Sequence, residues 1–236
     1  MNLIFKKVFL ILLVFGIFSC ADSATKEPAK TTSNNTPTKT ISTPDNSKKT
    51  DKKKILFFGD SLTAGYGLDN PKGDSYVGAI QNILDSLNLD YETIQAGKSG
   101  ETSSGGKGRI EWICDQYDFD IFVLELGAND GLRGLPTTET TKNLKAIFDT
   151  VKEKHPDAKL LVTGMFPPPN MGAEFTQKFG AIFTNLAKEY KASLVPFLLE
   201  NVGGIPELNQ KDRIHPTAEG HLILADNVWK VLKDML

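Results

Sequence analysis

Four short motifs carry the side chains that could do chemistry, and they lie far apart along the chain. Ser61 stands within residues 59–62 (GDSL), directly after an apolar run. The other motifs are a glycine-rich loop at 97–108, the segment 127–130 (GAND) and the segment 212–215 (DRIH). A serine hydroxyl becomes a nucleophile when an imidazole takes its proton and a carboxylate orients that imidazole. The motifs contain all three groups.

Each motif also has an ordinary structural interpretation. A serine at a strand-to-helix turn commonly caps the helix, and Asn and Asp favour turns. Of the three histidines, His155 precedes a proline at a Lys/Glu-rich helix end and is expected in solvent. His221 lies on the last predicted helix and is expected to be structural. By elimination His215 is the base if there is one, and Asp212 can reach it across one turn.

Several other chemistries are disfavoured. A phosphate loop would need Gly at position 101 and Ser or Thr at 108, where the chain has Glu101 and Gly108. Cys114 stands on the apolar side of a predicted helix, which indicates a buried, inert thiol. The 27 Lys and Arg residues against 29 Asp and Glu show no basic excess that would indicate nucleic-acid binding. Two cysteines cannot build a disulfide framework or a thiolate zinc site.

The N-terminus predicts export and lipid anchoring. Two lysines precede an apolar run over residues 8–18, and Ser19 and Cys20 follow it directly. This is the pattern of a secretory signal, and the run is shorter than the roughly 20 residues that span a bilayer. A cysteine directly after a small residue resembles a bacterial lipoprotein signal. Residues 1–19 are therefore predicted to be the signal peptide and Cys20 the lipidated first residue; the alternative is an ordinary signal cut near Ser19.

The predicted domains follow from composition. Residues 20–53 comprise the lipidated cysteine and a stretch rich in Ser, Thr, Lys, Asn and Pro, which has too little apolar surface to fold and is predicted to be a disordered tether. Residues 54–236 are enough for one folded domain. The predicted location is the bacterial cell envelope, membrane-anchored on the periplasmic or outer surface.

Apolar runs alternate with helical periodicity throughout the folded part. Strands are predicted at 55–58, 91–95, 121–126, 160–162 and 194–197, and helices near 76–89, 110–114, 144–151, 175–190 and after 217. Such alternation predicts a parallel sheet with helices on both faces. Active sites of these sheets lie at the carboxyl ends of the strands, which is where the motifs fall.

In order and spacing, the motifs resemble the GDSL, or SGNH, hydrolase family, which has Ser in G-D-S-L, a Gly, Asn in G-x-N-D and a C-terminal D-x-x-H. Segments 59–67, 99–102, 123–135, 169–172 and 212–216 look like its bacterial thioesterase I/lysophospholipase/arylesterase branch. The resemblance covers residues 54–236. It implies an α/β fold, namely a flavodoxin-like three-layer α/β/α architecture with a five-stranded parallel sheet.

The resemblance also implies roles for individual residues. Ser61 would be the nucleophile, His215 the general base, and Asp212 the carboxylate that orients His215. The backbone N–H groups of Ser61 and Gly100 and the side-chain amide of Asn129 would form the oxyanion hole. No metal or cofactor is needed for this reaction.

A less direct expectation concerns substrate contacts. The residues expected to touch substrate are Asp130, Leu132, Leu135, Met165 and Phe166, the first three because they match a loop that closes over the acyl chain. Asp60 would brace the nucleophile turn. The chain departs from the branch at Glu101, where Asp is usual, and at Gln95, where Asn is common, which leaves the supporting hydrogen bonds open.

The leading functional prediction is a serine esterase that acts as a monomer on lipid or small-molecule acyl esters: lysophospholipids, aryl or fatty-acyl esters, or thioesters. It would bind no nucleic acid and would meet the membrane through its lipid anchor. A carbohydrate O-acetyl esterase on the same fold is the first alternative. The second is a surface lipoprotein that binds ligands without catalysis; such a protein would be expected to have lost part of the motif set, which is complete here.

Overall fold

The structure is a computed structural model that describes residues 52–236, so the predicted signal peptide, Cys20 and most of the predicted tether lie outside the described residues. Five strands form one sheet: β1 (Lys53–Gly59), β2 (Tyr91–Gly97), β3 (Ile121–Glu125), β4 (Lys159–Thr163) and β5 (Ser193–Val195). All pairings are parallel, in the order β2-β1-β3-β4-β5. The predicted fold class is thereby confirmed.

Helices cover the sheet. They are α1 (Ser61–Ala64), α2 (Pro71–Asp74), α3 (Tyr76–Ser86), α4 (Ser103–Gln116), α5 (Ala128–Leu132), α6 (Thr137–Lys154), α7 (Ala173–Tyr190) and α8 (Ala218–Leu232), with 3-10 turns at Pro169–Met171, Pro206–Leu208 and Lys233–Met235. Helix α3 packs against α8, and α6 packs against both α4 and α7. Neighbouring β1 residues point to opposite faces: the Phe57 ring meets Tyr76 of α3, whereas Phe58 lies beside Gly106 of α4.

The core consists of the apolar runs that predicted the strands. Every side chain from Ile55 to Phe58 and from Ile121 to Leu124 is buried, because β1 and β3 are central strands covered on both faces. Helix α3 ends at Ser86, before the predicted 89, because Asn88 adopts a left-handed φ of +53° and closes the helix. The short helices α1, α2 and α5 were not predicted, since four or five residues carry no helical periodicity.

The order of the strands indicates which end of the sheet is suited to an active site. Strand β1 continues along the chain to β2 on one side, and β3 lies on its other side, so the connections leave in opposite directions. The crevice at such a reversal, at the carboxyl ends of the strands, is the usual ligand site of open α/β sheets. Ser61 follows β1 and Asn129 follows β3. Within residues 52–236, no helix has both the length and the apolar character needed to cross a membrane.

Candidate active site

A chain of hydrogen bonds joins the serine, histidine and aspartate motifs. Ser61 Oγ lies 2.9 Å from His215 Nε2, and His215 Nδ1 lies 2.7 Å from Asp212 Oδ2. The bond to His215 holds the pKa of the Asp212 carboxyl below its ordinary value. A carboxylate only accepts hydrogen bonds, so Nδ1 carries the proton and Nε2 is free to accept the serine proton. The structure thus brings together three residues separated by up to 154 positions.

Local backbone geometry fixes the position of the His215 ring. Asp212 Oδ1 accepts hydrogen bonds from the backbone N–H groups of Ile214 and His215, each at 3.1 Å. One carboxylate oxygen therefore orients the imidazole, and the other stabilises the conformation of the loop at residues 212–215. Arg213 takes a left-handed φ of +64°, which turns the chain so that residues 212 and 215 face the same side.

A buried acidic pair lies beneath the serine. Asp60 caps α1 by accepting a hydrogen bond from Leu62 N at 3.1 Å. Glu125, the last residue of β3, accepts through one oxygen from Asp60 N, Thr63 N and Thr63 Oγ1 at 3.1, 3.2 and 2.7 Å. These bonds fix the strand-to-helix turn that presents Ser61.

Burial changes the ionisation of this pair. It raises the pKa of Asp60 to about 6, while burial and the neighbouring Asp60 carboxyl raise the pKa of Glu125 well above its ordinary value. Both carboxyls therefore keep a proton to a higher pH than they would in water. Glu125 was not among the residues predicted from the sequence; its only signal was a charged residue at the end of the most apolar strand.

The residues expected to supply the oxyanion donors, Ser61, Gly100 and Asn129, line the same cavity. Gly100 has a φ of +77°, which favours glycine, and an added Cβ would meet nothing within 4 Å. Within residues 52–236, neither the Ser61 nor the Gly100 backbone N–H donates to a protein acceptor. The Asn129 amide is already committed, since Nδ2 donates to Asp60 Oδ2 and to the Glu101 carbonyl, each at 3.1 Å. Donation from Asn129 to an oxyanion thus requires that one of these bonds be shared or redirected.

A cavity of about 740 Å³ opens beside the serine. Its lining contains Ser61 and His215 together with the apolar residues Leu62, Tyr66, Leu132, Met165, Phe166, Pro167, Pro168, Phe197, Leu199 and Ile214. Three predicted substrate contacts, Leu132, Met165 and Phe166, are among them. A cavity of this size and character suits an apolar chain.

Two predicted contacts do not line this cavity. Asp130 is buried, and its carboxylate accepts hydrogen bonds from the Ser103 backbone and hydroxyl at 2.8 and 2.5 Å and from the Thr140 hydroxyl at 3.1 Å. It joins α5 to α4 and α6, so the expectation that it touches substrate is corrected to a structural role. Leu135 lies beyond α5, where Gly134 at a φ of +61° turns the chain toward α6.

Gln95 and Glu101, the two positions at which the chain departs from the family branch, support the site through hydrogen bonds. Gln95 Nε2 donates to the Thr63 carbonyl at 2.7 Å and to Ser75 Oγ at 3.1 Å. The Glu101 carboxylate accepts from Arg109 Nε at 2.6 Å, and Arg109 also donates to the carbonyl oxygen of Gly59. Both residues therefore brace the loops that carry the serine and Gly100.

The other candidate residues have structural surroundings. His221 is buried, accepts a hydrogen bond from Tyr76 N at 3.1 Å, and has its pKa lowered to about 4 by burial. Burial raises the pKa of the Cys114 thiol to about 11, which makes a thiolate nucleophile unfavourable. The expectation that His155 is solvated is corrected: its ring packs 4.1 Å from Phe119, and Nε2 lies 3.0 Å from the Cys114 carbonyl.

A hydroxyl, an imidazole and a carboxylate in hydrogen-bond contact at the carboxyl edge of a parallel sheet have the arrangement of a serine hydrolase. The chain belongs to the GDSL-like lipase/acylhydrolase family, which matches residues 57–223. The family and its named relatives make the protein a carboxylic ester hydrolase of the serine esterase type.

Named relatives and a solved structure agree with this membership. The chain is 37% identical to the esterase TesA of Pseudomonas aeruginosa over 182 residues, which cover 77% of this chain and 89% of the relative. It is 32% identical to the thioesterase 1/protease 1/lysophospholipase L1 of Escherichia coli K12, with coverage of 77% and 84%. A crystal structure of TesA superposes with a TM-score of 0.74 at 35% identity, covering 78% of this chain and all of the other.

Proposed function

We propose that Ser61, His215 and Asp212 form the catalytic triad of an esterase that hydrolyses acyl esters through an acyl-enzyme. The observation that carries this proposal is the unbroken pair of contacts, 2.9 Å from Ser61 Oγ to Nε2 and 2.7 Å from Nδ1 to Asp212, at the mouth of an apolar cavity. Heavy-atom distances of 2.6–3.2 Å are those that proton transfer between such groups requires.

Two chemical steps follow from the geometry. In the first, Ser61 Oγ attacks the ester carbonyl carbon while His215 Nε2 takes the hydroxyl proton; the tetrahedral intermediate then expels the alcohol, which leaves with that proton. In the second, His215 takes a proton from water as the water attacks the acyl-enzyme, and returns it to Ser61 Oγ as the acid is released. Asp212 stabilises the imidazolium in both steps.

The oxyanion of each intermediate would be held by backbone donors. The N–H groups of Ser61 and Gly100 have no protein acceptor within residues 52–236, so they are available as charge develops on the oxygen. The Asn129 amide would join them by giving up part of its bond to Asp60 or to the Glu101 carbonyl. Removing one such donor typically costs about 10²–10³ in rate.

The size and lining of the cavity favour esters of longer acyl chains over acetyl esters. An acetyl group needs only a small part of about 740 Å³, whereas Leu132, Met165 and Phe166 provide apolar surface along a longer chain. A relative named as a thioesterase and lysophospholipase supports the same choice. The carbohydrate O-acetyl esterase is therefore the second candidate, and the non-catalytic binding protein the third.

The test is a chain-length series of p-nitrophenyl esters, from acetyl to palmitoyl, on the purified protein. We expect the highest kcat/KM on medium or long chains and a loss of about 10³-fold or more in Ser61→Ala. Ser86→Ala, an exposed serine of α3, is the matched control and should keep full activity. Activity restricted to acetyl would favour the deacetylase, and activity retained in Ser61→Ala would refute the triad.

The proposal includes a lipid anchor at Cys20, which lies outside the described residues. What supports it is the sequence alone: a basic start, the apolar run 8–18 and a cysteine after Ser19. Cells labelled with radioactive palmitate should yield labelled protein, and Cys20→Ser should abolish the label, with Cys114→Ser as the matched control. Labelling that persists in Cys20→Ser would contradict the anchor.

A further inference from the structure

The segments that carry the nucleophile and the base come from opposite ends of the domain. Residues 61–67 follow β1, and residues 209–216 precede α8. Besides the bond between Ser61 Oγ and His215 Nε2, one direct hydrogen bond joins these two segments within residues 52–236: Gln210 Nε2 donates to the Tyr66 carbonyl at 2.7 Å. This second contact sits where it can set the geometry of the first.

The side-chain amide of Gln210 donates hydrogen bonds to both segments. Its Nε2 also donates to the Pro216 carbonyl at 2.9 Å, so both side-chain N–H bonds are spent, one on each segment. The backbone of Gln210 closes the base of the histidine loop: its N–H donates to the His215 carbonyl at 2.7 Å, and its carbonyl accepts from Arg213 N at 2.9 Å. Gln210 therefore holds the histidine loop in shape and fastens it to its neighbour.

The partner segment leads directly back to the serine. Tyr66 N donates to the Ser61 carbonyl at 3.0 Å, and the Tyr66 ring lies 4.6 Å from the His215 ring, centroid to centroid. Gly67 has a φ of +75°, and a Cβ there would lie 2.1 Å from Gln210 Oε1. The amide thus packs against bare backbone, and its position is fixed from this side as well.

We propose that Gln210 is a positioning residue of this esterase: its side-chain amide clasps segment 61–67 to segment 209–216 and thereby sets the distance between Ser61 Oγ and His215 Nε2. The proposal rests on the proposed function. Gln210 does not line the cavity, so its loss should affect the chemical steps and leave substrate binding almost unchanged. Small displacements of reacting groups cost about 10²-fold in rate.

The first test is Gln210→Met, which keeps the approximate length of the side chain and removes both N–H donors. We expect kcat for a p-nitrophenyl ester to fall about 10- to 100-fold, with KM within about twofold of wild type. Gln210→Glu, which directs a carboxylate at two carbonyl oxygens, should lose at least as much. Circular dichroism and thermal melts establish that each variant is folded, because a purely structural role would lower the melting temperature and spare kcat.

The second test disturbs the same contact, here called the clasp, through a substitution in segment 61–67. Gly67→Ala displaces the amide without altering Gln210 itself, so we expect a similar loss in kcat. Combined with Gln210→Met, the two losses should be strongly non-additive, because both break one contact. Asn88→Ala places alanine at a comparable left-handed φ of +53° in a distant loop, and should leave kcat unchanged.

The outcomes separate the two proposals. Folded Gln210→Met with wild-type kcat, beside an inactive Ser61→Ala, would overturn the clasp and leave the triad intact. Additive losses in the Gln210→Met/Gly67→Ala double variant would also overturn it. Full activity in Ser61→Ala would refute the proposed triad whatever Gln210 does.

Discussion

The serine and the histidine of the candidate site are supported in different ways. Beneath the serine, Asp60 and Glu125 are fully buried and take part in hydrogen bonds with residues of α1 and of the segment after β3. On the other side, the side chains of Asp212 and His215 are 40% and 17% exposed, and the bonds that shape Asp212 stay within four consecutive residues. Substitutions should therefore separate activity from stability on the histidine side and couple them on the serine side.

The largest effect is expected from Asp212→Asn. An asparagine can still accept the N–H bonds of Ile214 and His215, but its amide nitrogen opposes the Nδ1 proton and favours the wrong tautomer. We expect kcat/KM to fall about 10³-fold or more, with the free energy of unfolding within about 0.5 kcal/mol of wild type because the site is exposed. Ester hydrolysis and urea unfolding measure the two quantities, and a loss below tenfold would contradict the orienting role.

Glu125→Leu tests the serine side. It leaves the backbone N–H groups of Asp60 and Thr63 without an acceptor in a fully buried place, whereas the Thr63 hydroxyl keeps the Tyr76 hydroxyl as a partner at 2.8 Å. Each unsatisfied buried donor costs about 1–3 kcal/mol, so we expect about 3 kcal/mol of lost stability together with lost activity.

Glu125→Gln is the matched control for that substitution. It keeps one acceptor oxygen, and urea unfolding should show less than half the loss of stability expected for Glu125→Leu. If Glu125→Leu unfolds within about 1 kcal/mol of wild type, the serine turn does not depend on this residue.

The pH dependence of stability sharpens the contrast further. Burial raises the pKa of Asp60 from 3.8 to about 6 in the folded state, so between these pH values the folded protein binds more protons than the unfolded chain. The slope of the unfolding free energy with pH is then negative. The contribution of Asp60 is fully present below pH 3.8 and is lost as pH rises through 6.

Asp60→Asn isolates that contribution. The stability of wild type relative to this variant should fall by roughly 2 kcal/mol between pH 4 and pH 7. Urea unfolding of both proteins at several pH values measures the difference, and the slope matters rather than the offset, since the asparagine amide also faces Asn129 Nδ2. A flat difference across this range would show that Asp60 titrates as it does in water.

The same contrast explains what the sequence could predict. The histidine side is local: D-x-x-H places both groups within one turn, and elimination among three histidines selects His215. The strands were readable because β1 and β3 are continuous apolar runs. The serine side depends on partners far apart in the chain, since Glu125 is 62 positions from Thr63. A glutamate ending an apolar strand carries no pattern that reveals such a bond.

Tertiary contacts of polar residues were the main source of error. Asp130 has the residue type and loop position of a substrate contact, yet its three hydrogen bonds join it to Ser103 of α4 and to Thr140 of α6. His155 has a solvated sequence context, yet its ring packs against Phe119. Both outcomes depend on how α4, α5 and α6 pack, which local spacing does not encode.

The smallest effect on activity is expected from substitution of Cys114. Its thiol is a possible nucleophile, but it lies outside both the serine side and the histidine side of the site. Its side chain is buried, and burial raises the pKa of its thiol to about 11, so almost no thiolate exists at neutral pH. Cys114→Ala should keep kcat and KM within about twofold of wild type and lose about 1 kcal/mol of stability, since it removes one small buried group. Iodoacetamide should leave the folded wild-type enzyme active. Inactivation that is absent in Cys114→Ala would mean that the thiol is reachable and that this face of α4 opens in solution.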